Sequence, residues 1–259
     1  GNGMSIFAVG GNVGFFIGPI MAAVSLSVFG MHGLAVFLAP TALCAAALFL
    51  HNSRFKALNA VAAFNAAIVE RPERWGLFGL VMVTLSLRSV LSYGFMAFIP
   101  LFLMNVLGQS EAASSLVISL FSIAGMVGTA LSGRTSEAVG AHRLTIACLS
   151  ASAIGSAVFA LNGSSVGLAL ALTAVLAIGI DLFYPSAVAV GMGYVPQHLG
   201  MASGLTYGVA ICLGGVAEPF LGMAGDTFGL TPVMLTLAVI ALAAALLSIV
   251  IKKLDGTQA

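Results

Sequence analysis

Three ionisable side chains stand inside long apolar stretches of the chain: Arg88, Asp181 and Glu218. A charge at the centre of a membrane helix costs about 2.5–3.5 kcal/mol on insertion scales, so each must pair or face a wet cavity. Arg88 can pair with a carboxylate, Asp181 being the first choice, or hold an anionic substrate. A carboxylate left unpaired in a low-dielectric setting can take up and release a proton near neutral pH. Glu218, beside Pro219, is the candidate for that role. The competing reading of all three is a structural ion pair that ties helices together.

Aromatic residues on the same helical faces extend this constellation. Tyr207 and Glu218 are eleven residues apart, three helical turns, and share a face. Asp181, Tyr184 and Pro185 share another, and Phe95 lies two turns beyond Arg88 on its side. Arg88, Asp181, Glu218, Tyr184, Tyr207 and Phe95 are therefore the candidate substrate and proton pathway. The alternative for the aromatics is packing or lipid contact. Ser115, Ser119 and Ser122 form a hydroxyl stripe that equally suits hydrogen bonding between helices.

Other chemistries fit less well. Met223-Ala224-Gly225-Asp226 lacks the first glycine of an aspartyl intramembrane protease, and Ser203 has no histidine in an apolar run to activate it. The glycine pairs Gly10-Gly11 and Gly214-Gly215 lack the following Lys-Ser/Thr of a phosphate loop. His32, His51, His142 and His198 fall at segment ends without metal-ligand spacing. Cys44, Cys148 and Cys212 are far apart in apolar runs and imply neither a zinc site nor a disulfide framework. No metal and no cofactor is expected, and no nucleotide site that would couple the protein to ATP. An intramembrane hydrolase remains a remote alternative.

The elements that must position these residues follow from composition. The chain has 259 residues, 60% hydrophobic and 7% charged, against about 25% charged in soluble domains. So little polar surface cannot cover a soluble globule, and lipid is the solvent for most of the chain. The net charge of +1 gives no basic field for nucleic acid. Eight apolar runs are long enough to cross a bilayer, near 4–28, 33–50, 76–104, 112–133, 143–161, 167–194, 201–225 and 231–252. They are too long for barrel strands and do not alternate, so an all-α transmembrane bundle is predicted. Counted at 1.5 Å per residue, Arg88 lies about 18 Å, Asp181 about 21 Å and Glu218 about 24 Å into their runs, near the midplane.

Charge then predicts orientation. Arg54, Lys56, Arg71 and Arg74, then Arg134 and Arg143, then Lys252 and Lys253 make up eight of the nine Lys and Arg. All eight fall on one side if each run crosses once, which reads as the cytoplasmic side. Between the second and third runs, Phe55, Leu58, Val61, Phe64 and Ile68 recur at helical spacing. This stretch, 51–75, is either an amphipathic helix on the membrane surface or a polar linker.

Gly14-x3-Gly18-Pro19 in the first run resembles Gly214-x3-Glu218-Pro219 in the seventh. Phe29-Gly30-Met31 pairs with Phe228-Gly229-Leu230, and Ala45-Ala46-Ala47-Leu48 with Ala243-Ala244-Ala245-Leu246. A first-to-seventh and second-to-eighth match implies a parallel six-helix repeat. Four further helices are then expected before Gly1, twelve in all.

On these residues the chain resembles the major facilitator superfamily. The resemblance implies helices 5 to 12 of that fold: 1–50 as the last two helices of the N-terminal half, 51–75 as the central cytoplasmic loop and 76–259 as the C-terminal half. Gly14, Gly18 and Pro19 resemble the antiporter motif of helix 5, Gly-x8-Gly-x3-Gly-Pro-x2-Gly-Gly, in which small residues let helices approach closely. The stretch Gly133–Arg143 is similar to the family's loop motif, Gly-x3-Asp-Arg-x-Gly-Arg-Lys-Arg. Gly133, Gly140 and Arg143 match, Glu137 stands for the Asp, and Ala138 and Ala141 replace basic residues. Leu87-Arg88-Ser89 leading to Phe98-Ile99-Pro100-Leu101-Phe102-Leu103, and Val195–Gly204, resemble the fosmidomycin-resistance group. That resemblance implies a cell-membrane drug/proton antiporter acting by alternating access. Arg88 and Asp181 then line its central cavity, its partners are protons and a small molecule, and the full-length form is a monomer. Uptake in the same fold is the alternative, as is a fragment inert by itself.

Overall fold

The computed structural model describes Gly14, Met21, Val24, Ser25, residues 28–52 and residues 72–256, and all of its regular structure there is helical. Six stretches among the described residues are long and apolar enough to cross a bilayer: Trp75–Asn105, Leu116–Val139, Ala141–Ala160, Val166–Tyr194, Pro196–Phe228 and Leu230–Gly256. Two of the eight expected runs, 4–28 and 33–50, are not among them. The run 4–28 falls almost wholly outside the described residues, as do Gly18, Pro19 and the periodic stretch 55–68. The run 33–50 is helical but divided, with a 3-10 helix over Gly30–Phe37 before α1, Leu38–Leu50. Pro40 withholds the N–H that an α-helical ladder would offer to Val36, which favours the change of helix type there. Gly14 is helical, with open space where a Cβ would stand.

The chain divides into two compact units, one of them Gly11–Glu73 and the other including Arg74–Ala259. Within the first, Ser25 Oγ donates to Gly33 O at 2.6 Å, and the Gly33 Cα lies so close to the Ser25 carbonyl that a Cβ would overlap it.

The larger unit holds α2 (Trp75–Asn105), α3 (Glu111–Val139), α4 (Ala141–Ala160), α5 (Val166–Leu182), α6 (Tyr184–Tyr194), α7 (Leu199–Gly204), α8 (Ala210–Phe228) and α9 (Leu230–Gly256). Their starts are chemically marked. Ser110 Oγ accepts from Ala113 N at 3.3 Å and Ser165 Oγ from Leu168 N at 3.2 Å, capping α3 and α5. α9 packs on α4 and α2, α3 on α5, and α2 on α8. Alanines 241, 244 and 245 on α9 are fully buried and let its neighbours come close. Large apolar side chains such as Leu116, Ile154, Phe220 and Val239 stay exposed, the outward face that a hydrocarbon medium would cover.

Three departures from the expected runs have local causes. The loop motif is mostly helix: α3 continues to Val139, and Gly140 alone joins it to α4. Gly140 has φ +92°, a backbone conformation that side-chain-bearing residues rarely adopt. The run 167–194 breaks at Phe183 into α5 and α6, two residues before Pro185, which has no N–H for the carbonyl of Asp181. The run 201–225 contains a π-helical turn at Leu205–Val209 between α7 and α8.

α2 and α8 meet at Gly214, where a Cβ would stand 2.7 Å from the Ser89 carbonyl oxygen and 2.6 Å from the Tyr93 ring. Backbone cannot retreat as a side chain can. Gly214→Val is expected to cost about 1–3 kcal/mol through overpacking, read as a lower unfolding temperature of the purified protein. An unchanged value would mean that this crossing is looser than described.

Candidate functional site

Arg88 lies midway along α2, and the break between α5 and α6 lies opposite it. One guanidinium amine, Nη2, donates to Asp181 Oδ1, and Nε donates to the Ile180 carbonyl at 3.4 Å. The guanidinium carbon stands 4.3 Å from the centroid of the Tyr184 ring. Tyr184 in turn meets Tyr207 edge-on, with centroids 6.0 Å apart at 87°. Four of the six residues singled out from sequence thus converge on one place.

The chemistry of that place follows from the break. Asp181 is the penultimate residue of α5, where the last carbonyls of a helix carry partial negative charge. A guanidinium set there is stabilised by the carboxylate, by the helix end and by the aromatic face together. The side chains of Arg88 and Asp181 are only 11% and 15% exposed, so this is an interior pair, not a solvated one. The Tyr184 hydroxyl is buried and has no hydrogen-bond partner among the described residues.

The other two residues behave differently. Glu218 is half-buried on α8, one residue before Pro219, and has no ion pair or hydrogen bond among the described residues. Phe95 is fully buried, part of the same core as Leu91, Phe98 and Phe102 on its own helix. In the serine stripe, Ser122 bonds back to Ile118 O of its own helix at 2.9 Å.

A second cluster was not legible as such. At the far end of α6, Asp255 Oδ1 receives Arg74 Nη1 at 2.6 Å, and its Oδ2 lies 3.0 Å from His142 Nε2. Tyr194 OH lies 3.5 Å from the same His142 nitrogen, and the Arg74 guanidinium stands 5.4 Å from the Tyr194 ring centroid. Arg74 N–H also donates to the Tyr194 carbonyl at 2.8 Å. One carboxylate therefore ties the ends of α2, α4, α6 and α9. In the loop motif, by contrast, Glu137 and Arg143 are exposed and form no ion pair among the described residues, while Gly133 is buried within α3. The nearest signal in the sequence is the shared side that charge assigns to Arg74, Arg143, Lys252 and Lys253.

Comparison with known proteins accords with this architecture. The family model of the Major Facilitator Superfamily matches residues 1–217 and again 78–258. The fosmidomycin resistance protein of Escherichia coli (strain K12) is 28% identical over 239 residues, which cover 87% of this chain and 56% of that protein. The MFS-type transporter YfnC of Bacillus subtilis (strain 168) is 26% identical over 247 residues, covering 92% of this chain and 60% of its own length. The chain thus spans less than two thirds of the length of either relative. Six apolar spans among the described residues, one of them broken beside a largely buried Arg–Asp pair, agree with a family match over most of the sequence: this multi-pass membrane chain belongs to the Major Facilitator Superfamily, a family of transporters and not of enzymes.

Proposed function

We propose that this chain forms the C-terminal half and the adjoining helices of a proton-coupled exporter of small molecules. The observation that carries this reading is the contrast between two carboxylates in one bundle. Asp181 is bound to Arg88, whereas Glu218 has no partner among the described residues beside a helix-disturbing proline. A paired carboxylate is poorly placed to cycle protons, and an unpaired one facing a cavity is well placed. Glu218 then carries the proton, while Arg88, Tyr184 and Tyr207 line the substrate path. Phe95 supports that path from the core behind it.

The charge bias favours an inner-membrane setting in which 51–75, 134–143 and the C-terminus face the cytoplasm. Gly14, Gly18 and Pro19, with the fosmidomycin resistance relative, favour export over uptake. The substrate named by that relative, fosmidomycin, is the first compound to assay.

The test uses the full natural chain in inverted vesicles. Glu218→Gln should lose export driven by a pH gradient, by about 10²-fold if proton transfer is obligatory, and keep substrate exchange without a gradient. Gradient-driven export at the normal rate in this variant would remove Glu218 from the proton path.

A further inference from the structure

We infer that Gly125 is a positioning residue for the Arg88–Asp181 pair: the missing side chain on α3 is the space that the Asp181 carboxylate occupies. The inference rests on the central role proposed for that pair. A Cβ built on Gly125 would overlap Asp181 Oδ2, and its next neighbours are Asp181 Cγ at 3.2 Å and Cβ at 3.8 Å. All three nearest atoms therefore belong to one side chain.

The contrast with the next glycine on the same face gives the point its force. At Gly128, one helical turn on, a Cβ would meet the Ile178 carbonyl oxygen at 2.7 Å, Ile178 Cα at 3.1 Å and Leu182 N at 3.2 Å. Gly128 sets how closely the backbones of α3 and α5 approach. Gly125 does something else, because what it faces can move. An aspartate has two side-chain torsions, and a rotamer change takes it clear of a new methyl group. The same rotation takes the carboxylate off Arg88, whose remaining contacts are the Ile180 carbonyl and the Tyr184 ring. A methyl group on a third helix thus uncouples an ion pair formed by two others.

The experiment is a comparison of backgrounds, read in the full natural chain purified in detergent. Gly125→Ala should lower the unfolding temperature of the wild type by several degrees. In an Arg88→Leu/Asp181→Ala background the same change should leave it within a degree, since only the 3.8 Å Cβ contact remains. Gly128→Ala should lower it equally in both. If Gly125→Ala does not fold in the wild type, the background change should restore folding. Arg88 itself supplies a readout that general loosening would not mimic. Its labelling by an arginine-specific dicarbonyl, followed by mass spectrometry, should rise several-fold in Gly125→Ala and in Asp181→Asn, but not in Gly128→Ala. An equal temperature loss in both backgrounds, failed rescue, or wild-type labelling of Arg88 in Gly125→Ala overturns the inference. Neither readout involves transport, so the outcome is separate from the fate of Glu218→Gln.

Discussion

Asp181→Ala is expected to destabilise the bundle by about 3–5 kcal/mol, the range for removing one partner of a buried ion pair. The magnitude follows from what is left behind. Arg88 is 11% exposed and pairs with no other carboxylate among the described residues. It would retain one long bond to the Ile180 carbonyl and the face of Tyr184. Removing both charges in Arg88→Leu/Asp181→Ala should recover most of the loss, because an apolar pair of similar volume needs no desolvation. Reversible unfolding in mixed micelles measures both. A single variant that costs less than about 1 kcal/mol would place the pair among solvated ones.

Phe95→Ala is expected to cost about 3–5 kcal/mol as a buried aromatic truncated to leave a cavity. The sequence suggests a place beside the substrate path, two turns from Arg88. The structure buries the ring completely, and adjacent Gly94 leaves only 2.7 Å between a would-be Cβ and Leu237 of α9. The loss should therefore appear in unfolding, with substrate affinity in the surviving folded fraction nearly unchanged. A variant of normal stability with weakened binding would return Phe95 to the cavity wall.

What could be read beforehand was the part that physics makes expensive. Ions in apolar runs have few solutions, so sequence pairs Arg88 with Asp181 and puts Tyr184 on the face of Asp181, whereas it groups Tyr207 with Glu218 and only the structure brings Tyr207 against Tyr184. The bundle itself was legible from apolar length and sparse charge. What escaped were features that depend on the distance between helices. Gly125 and Gly128 look alike in sequence, yet one faces a carboxylate and the other a backbone. Helical spacing put Phe95 on the side of Arg88, but a helix enclosed on most sides buries that side too. Asp255 lies in a polar tail, and nothing local says that Arg74 and His142, so far upstream, converge on it. Gly133–Val139 reads as a loop by resemblance, yet Thr135 and Ser136 hydroxyls bond back to Leu131 and Gly133 and the helix runs on until Gly140.

The interruption at Phe183 gives the molecule a mechanical linkage. α6 is an eleven-residue rod, about 16 Å long at 1.5 Å per residue, jointed at one end where Pro185 already leaves a ladder bond unmade. Tyr184 stands at the joint under Arg88, and Tyr194 stands at the tip among Arg74, His142 and Asp255. A rigid rod conveys rotation without storing it. The ring beneath Arg88 and the carboxylate that gathers four helix ends are therefore held a fixed helix length apart.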